Sequence, residues 1–207
     1  MLHLAEAQEL EAVSADAGKT VFVYDPQQPA PSVGGNLLGS GGMSMPGGAK
    51  RLPEIGARSD VISFVSELFE QDLHIAGKIC AELYVSSDVP ATAFTVTVSE
   101  VNANGEAIHM RDDITDIRWR DERTVEDYTP GQIVRLNLEL LDVVWTLKSG
   151  SRIRVDISSS NFPMYHAHPN TEEPWAAQTQ LRKANQSVYY GEEMPSKIMI
   201  PIQSTPK

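Results

Sequence analysis

Two histidines one residue apart are the strongest candidate metal ligands in this sequence. His166-Ala167-His168 supplies two imidazoles, and Glu172 or Glu173 would add a carboxylate. Imidazole and carboxylate groups are ligands that zinc and copper take in proteins. The spacing is short, however, and the segment has the composition of a loop. We therefore interpret the pair as surface or partly packed histidines and predict no metal site.

A run of carboxylates, Asp112, Asp113 and Asp116, has the residue type that binds calcium, because a hard cation needs several oxygen ligands together. The run lacks the glycine and the terminal glutamate of a calcium loop. In a strand, Asp112 and Asp116 would share one face, and Asp113 would point to the other. We interpret the run as the solvated edge of a strand.

Serine hydrolysis would require a nucleophile held on a tight turn, commonly Gly-x-Ser-x-Gly between a strand and a helix. The nearest match is Gly42-Met43-Ser44-Met45-Pro46, in which proline replaces the second glycine. Ser44, Asp113 and His168 occur in the order of one kind of catalytic triad, but no motif supports the trio. We predict a plain loop at Ser44 and no catalytic residue in this chain.

Composition excludes several classes of partner. The 207 residues carry a net charge of −11, and an acidic surface repels phosphate, so we predict no binding to nucleic acid or to membranes. Cys80 is the only cysteine, which excludes an internal disulfide and a thiolate zinc site, and no cofactor is indicated. The first residues lack a secretory signal, so the compartment is assigned to the cytoplasm only by default.

The elements that would position these groups are β-strands. Apolar and polar residues alternate through segments 78–85, 94–99, 134–140, 152–157 and 198–202. Successive side chains of a strand point to opposite faces, so each segment predicts one dry face and one wet face. Weaker patterns fall at 20–24, 61–66, 108–119 and 185–190. With roughly nine or ten short strands and no long amphipathic helix, we predict an all-β sandwich of two sheets.

Two long segments interrupt the alternation. Residues 26–56 are dense in glycine and proline, and residues 161–182 contain Phe162-Pro163, two histidines and several aromatic side chains. Irregular segments of this length in a compact domain are usually functional, contact another domain or are disordered. No linker divides the chain, so we interpret residues 1–207 as a single domain.

Several segments, taken in order, resemble one family of serine hydrolases. Their order and spacing are similar to the C-terminal domain of the group that contains Xaa-Pro dipeptidyl-peptidase, cocaine esterase and α-amino-acid ester hydrolase. The resemblance covers essentially the whole chain. The segments are Tyr24-Asp25-Pro26-x-x-Pro29-x-Pro31-x-x-Gly34-Gly35, Arg58-Ser59-Asp60-Val61, Val85-Ser86-Ser87-Asp88-Val89-Pro90, Asn104-Gly105-Glu106, Ser149-Gly150-Ser151-Arg152, Ser158-Ser159-Ser160-Asn161-Phe162-Pro163, Pro169-Asn170-Thr171 and Pro195-Ser196-Lys197-Ile198.

This resemblance implies a jelly-roll β-sandwich related to galactose-binding-like domains, with Leu2-His3-Leu4 as its first strand. It also implies an upstream α/β-hydrolase domain that supplies the catalytic serine, aspartate and histidine, and a helical cap above it. None of those catalytic positions maps onto this sequence. The expected function is that of a non-catalytic C-terminal domain, which packs on the hydrolase and cap domains and walls their substrate cleft. The resemblance leaves open whether the protein associates with a second copy. It also leaves the substrate open among a peptide, an aromatic ester and a β-lactam-type amide.

The resemblance also implies which residues would serve that function. Leu37, Leu38 and Gly39 would lie at the edge of the substrate pocket, with Gly39 where similar proteins carry an aromatic residue. The two irregular segments would face the hydrolase domain. The candidate inter-domain contacts are Tyr24, Asp25, Pro26, Asn161, Phe162, Tyr165 and Trp175.

A competing interpretation is a free-standing module that binds carbohydrate or another ligand, because sandwiches of this kind host such sites and fold alone does not assign function. Tyr165, Trp175, Tyr189 and Tyr190 would then form a platform for stacking sugars. A third interpretation is a folded remnant of a split or truncated gene with no separate activity.

Overall fold

The computed structural model describes residues 1–5, 9–11, 17–35, 47–120 and 124–203, with Trp175 described by its backbone alone. This part of the chain contains 14 strands and one 3₁₀ turn, Trp175–Ala177. The strands are β1 (Leu2–Leu4), β2 (Glu9–Glu11), β3 (Gly18–Tyr24), β4 (Ile62–Ser66), β5 (Leu73–Gly77), β6 (Cys80–Ser87), β7 (Ala93–Val101), β8 (Ala107–Asp116), β9 (Val134–Glu139), β10 (Val143–Leu147), β11 (Arg152–Ser158), β12 (Ala184–Tyr190), β13 (Lys197–Met199) and β14 (Ile202–Gln203).

The alternation predicts most of these strands. The four clearest segments form β6, β7, β9 and β11, and the four weaker patterns form β3, β4, β8 and β12. The prediction of nine or ten strands is too low, because β2, β5 and β10 carry no clean alternation, and the tail pattern divides into β13 and β14. The Asn104-Gly105 turn joins β7 to β8 as predicted, with Gly105 at a φ of 80°.

The large sheet folds over on itself to make two layers. Its strand order is β3-β12-β6-β13-β1-β2-β4-β11-β7-β8, and β9 pairs with β6. β3 and β7 lie far apart in that order, yet the rings of Phe22 and Phe94 meet edge to face with centroids 6.4 Å apart. The short strands β1 and β2 therefore link one layer, containing β3, β12, β6 and β9, to another, containing β4, β11, β7 and β8. A separate three-stranded sheet has the order β10-β5-β14.

The apolar faces of the two layers form the hydrophobic core between them. In β9 the prediction is met at every position, since Val134, Leu136 and Leu138 are buried while the residues between them are exposed. Full burial of one such side chain stabilises the fold by about 1.5–3 kcal/mol. The all-β sandwich is therefore confirmed, and none of the helices in the described residues has the length and apolarity needed to span a membrane.

The outer face of the second layer is also buried, which the alternation does not predict. Thr95 and Ser99 of β7, and Arg154 and Asp156 of β11, were expected in water but are at most 8% exposed. A cover segment, residues 26–35 and 47–61, lies over them. It is anchored to β8, where the backbone N–H of His109 donates to the carbonyl of Lys50 at 2.8 Å. Alternation tells which side chains share a face, but it does not tell what covers that face.

Candidate functional site

The two irregular segments that were predicted to face another domain lie against each other. Pro31 and Phe162 form a parallel bridge. The backbone N–H of Ser32 donates to the carbonyl of Phe162 at 2.7 Å, and the N–H of Phe162 donates to the carbonyl of Ala30 at 2.9 Å. The hydroxyl of Ser160 accepts a bond from the N–H of Ala30 at 2.8 Å. The segments are thus one continuous surface built on the ends of β3 and β11.

The first group of candidate contacts is mostly internal to this domain. Tyr24 is 0% exposed, and its hydroxyl donates to the carbonyl of His168 at 3.0 Å. Burial raises the pKa of Tyr24 well above its ordinary value. Pro26 is buried as well. Neither side chain is exposed enough to contact a second domain, so Tyr24 and Pro26 are removed from the candidate contacts. Asp25 is partly exposed, and its ion pair with Lys183 at 2.8 Å lowers the pKa of its carboxyl group.

The second group offers a better surface. Phe162 is 46% exposed, although it lies in the bridge to the cover segment. Tyr165 is partly buried, and its backbone N–H donates to the carbonyl of Asn161 at 2.9 Å. The side chain of Trp175 and the predicted pocket-edge residues, numbers 37–39, lie outside the described part of the chain.

Gly35 and Gly48 form a closed neck on either side of residues 36–47. The two glycines exchange backbone hydrogen bonds of 3.0 and 2.8 Å. A Cβ on Gly35 would lie 2.9 Å from Oδ1 of Asp112, so only glycine fits there. Both have positive φ angles, 80° and 82°. The neck therefore sits directly on the buried end of the Asp112 side chain.

That position corrects the prediction of a solvated strand edge at Asp112. The side chain is 2% exposed, and the amide of Asn161 donates to its Oδ2 at 2.5 Å. Nε2 of His109 lies 3.3 Å from its Oδ1. The cover segment pairs with the edge of β8, through the bridge between Arg51 and Ile108, so this edge is not open to solvent there. Asn161, predicted as a contact to another domain, is instead part of this internal cluster.

Both ring nitrogens of His168 contact other groups of the protein, which fixes the second irregular segment. Its Nδ1 accepts the backbone N–H of Asn170 at 3.0 Å, so the proton is on Nε2, which lies 2.9 Å from the carboxylate of Asp116. His166 is exposed and contacts Gln178 at 3.0 Å. In the described ranges, no three His, Cys, Asp or Glu side chains are arranged to hold a metal ion.

The proposed triad of Ser44, Asp113 and His168 is not tested as a whole. Ser44 lies outside the described residues, and both ring nitrogens of His168 are engaged with groups other than Asp113. Cys80 is partly buried on β6, and burial raises the pKa of its thiol, which makes the reactive thiolate scarcer.

A buried polar cluster beneath the cover segment was missed by the sequence analysis. Nε of Arg154 donates to Oδ1 of Asp156 at 2.7 Å, and the hydroxyl of Ser63 donates to the same oxygen at 2.5 Å. Nη1 of Arg154 also donates to the carbonyl of Pro53 at 2.7 Å, which ties the cover segment to the sheet. The signal for this cluster was present, since opposite charges two residues apart in β11 share one face.

The architecture is that of a non-catalytic accessory domain. Residues 3–199 match the family described as the X-Pro dipeptidyl-peptidase C-terminal non-catalytic domain, and the chain belongs to that family. The resemblance noted in the sequence is thereby confirmed.

The relatives are much longer proteins. The chain is 31% identical over 196 residues to the cocaine esterase of Rhodococcus sp. (strain MB1 Bresler), which covers 92% of this chain and 33% of the esterase. A solved α-amino acid ester hydrolase is 26% identical, with a TM-score of 0.85, over 98% of this chain and 36% of that one. An aminopeptidase from a marine sediment Thaumarchaeota archaeon, 24% identical with a TM-score of 0.87 over 98% of this chain and 36% of its own, shows the same fold. The chain spans about a third of the length of these relatives.

Proposed function

We propose that this chain is the C-terminal domain of an acyl- or peptidyl-serine hydrolase, where it packs on an α/β-hydrolase domain and a cap domain and walls their substrate cleft. The observation that carries the proposal is the family match over residues 3–199, combined with relatives of which the chain covers 33–36%. Those relatives are an esterase and an ester hydrolase. The upstream domains would therefore supply the nucleophile, and the substrate would be a carboxylic ester or a peptide.

Exposed apolar side chains support the joined irregular segments as the surface that meets the hydrolase. Phe162 is 46% exposed, and Leu181 at the far end of the second segment is 54% exposed. Ile55 of the cover segment is 51% exposed. Apolar groups left in water favour burial against a partner when they lie together. Leu37, Leu38 and Gly39, which lie outside the described residues, are proposed from the family resemblance alone to edge the substrate pocket of that partner.

The first experiment compares this chain alone with the full reading frame that contains it. Hydrolysis of p-nitrophenyl esters and of Xaa-Pro p-nitroanilides is measured for both proteins. We expect turnover from the longer protein and none from the chain alone. Turnover by the chain alone that is lost in Ser44→Ala would contradict a non-catalytic role. Light scattering of the longer protein tests the association with a second copy that the sequence left open.

The second experiment locates the interface with a matched pair of variants. Phe162→Ser changes an exposed apolar residue on the proposed surface, and Val144→Ser changes one on β10 that is 86% exposed. In the longer protein, Phe162→Ser is expected to lower the melting temperature and raise KM, while Val144→Ser leaves both unchanged. In the isolated chain the two variants should behave alike. Equal effects of both variants in the longer protein would refute this surface.

A further inference from the structure

A cavity lies between the cover segment and the outer face of the second layer. Its volume is about 80 Å³, and it is partly open to the surface. Its floor carries polar side chains, including Thr95, Thr97 and Arg154, and its roof is mostly apolar, with Val33 and Leu52 beside the charged Glu54 and Arg58. One water occupies roughly 10–15 Å³ of a cavity volume of this kind, so the cavity has room for a molecule of about six non-hydrogen atoms.

A buried imidazole in the wall of this cavity lacks a partner. His109 is 3% exposed, and its Nδ1 makes no hydrogen bond to any described residue. Its Nε2 faces the carboxylate of Asp112 at 3.3 Å, an arrangement that favours the proton on Nε2. Nδ1 is then left as a hydrogen-bond acceptor. A buried polar atom without a partner is unfavourable, so a group that donates a hydrogen bond to it would be held there.

The charges around the cavity are already balanced within the protein. Arg154 is paired with Asp156, and Arg58 makes two hydrogen bonds of 2.7 Å to Asp60. Asp60 does not line the cavity, whereas Glu54 does, so the lining has two arginines, Arg58 and Arg154, and two carboxylates, Glu54 and Asp156. An incoming anion would meet carboxylates that are already bound to the arginines, and an incoming cation would meet arginines. The electrostatics therefore favour a neutral ligand.

We propose that this cavity binds a small neutral polyol of about the size of glycerol, a proposal that does not rest on the hydrolase role. One hydroxyl donates to Nδ1 of His109, further hydroxyls contact the side chains of Thr95 and Thr97, and the carbon chain packs against the apolar roof. This division between a polar floor and an apolar roof matches a molecule that carries hydroxyl groups on a hydrocarbon chain.

Glycerol is the probe for the test, added to the ¹⁵N-labelled chain and followed by nuclear magnetic resonance. We expect saturable shifts at the amides of Thr97 and His109, together with a shift of the His109 Nδ1 resonance. Acetate, a charged probe of similar size, should give no saturable change at these residues. Because both titrations use the chain alone, their outcome leaves the hydrolase proposal unaffected.

Two threonine variants provide the control. Thr97→Val removes a hydroxyl from the floor at constant shape, and binding should weaken about fivefold, as expected for one lost hydrogen bond. Thr146→Val makes the same change on β10, outside the cavity, and should leave binding intact. Linear shifts that never saturate, equal binding by both variants, or saturation by acetate would overturn the proposal. A crystal structure grown with glycerol that shows ordered water only in the cavity would also overturn it.

Discussion

Arg154 and Asp156 of β11 form a buried ion pair beneath the cover segment. Both side chains are at most 10% exposed, and the carboxylate accepts bonds from Nε of Arg154 at 2.7 Å and from Ser63 at 2.5 Å. Asp156→Leu removes the acceptor and leaves a buried guanidinium without its counter-charge. Breaking one partner of a buried pair costs about 3–5 kcal/mol. That loss is a large fraction of the roughly 5–15 kcal/mol by which a domain is stable.

A substitution of the arginine, and then of both residues, separates the loss of charge from the loss of packing. Arg154→Met should cost a similar amount, because it leaves Asp156 buried and takes a donor from the carbonyl of Pro53. The double variant removes both charges together, and replacing a whole buried pair by apolar side chains is often close to neutral. We therefore expect the double variant to lose no more stability than either single variant, so that the two changes are strongly non-additive.

Urea unfolding followed by circular dichroism measures all four proteins of this cycle. The slope of the unfolding free energy against urea should stay constant, which shows that the variants expose the same surface on unfolding. Losses below about 1 kcal/mol for the single variants would mean that the pair is solvated. Additive losses would mean that the two side chains do not depend on each other. Either result would refute the view of Arg154 and Asp156 as a coupled, desolvated pair beneath the cover segment.

Three further outcomes are expected. Gly35→Ala and Gly105→Ala change glycines with the same φ of 80°, but only at Gly35 would the new Cβ meet a buried carboxylate. Urea unfolding should therefore show Gly35→Ala about 1–2 kcal/mol more destabilising than Gly105→Ala, and equal losses would contradict the close contact between Gly35 and Asp112. Glu100→Ala should destabilise the fold by about 1–3 kcal/mol, because it removes the carboxylate whose Oε2 lies 2.7 Å from Nε1 of Trp145. An unchanged urea midpoint would show that water replaces the lost carboxylate. Burial raises the pKa of Tyr24, so the stability that depends on its neutral form is present below the ordinary tyrosine pKa of about 10 and is lost as the pH rises above that value. Tyr24→Phe should reduce this loss of stability at alkaline pH. Parallel plots of unfolding free energy against pH for the two proteins would contradict this role of Tyr24.

The strands were predictable where local pattern and burial agree. β9 has one buried and one exposed face, and its alternation was complete. β10 was missed because Val144 is apolar and 86% exposed, which hides the alternation. No local rule distinguishes an apolar residue in water from one in a core.

The candidate site was less predictable, for a different physical reason. Thr95, Arg154 and Asp112 are polar residues on the outer face of a sheet, and such residues usually face water. Here a segment distant in the sequence covers them, and Asn161 reaches Asp112 from 49 residues away. The irregular segments as an inter-domain surface stay a prediction, and the burial of Tyr24 depends on residues distant in the sequence, such as His168.

The position of the last strands has a consequence for how the chain is made. β12 lies between β3 and β6, and β13 lies between β1 and β6, so the two ends of the sequence meet within one sheet. During synthesis, β3 has no neighbour among the described strands to join until β12 has left the ribosome. A shortened gene that stops before residue 184 would leave a gap in the middle of this sheet rather than a trimmed edge, and we expect its product to be degraded rather than to persist as a smaller, stable protein.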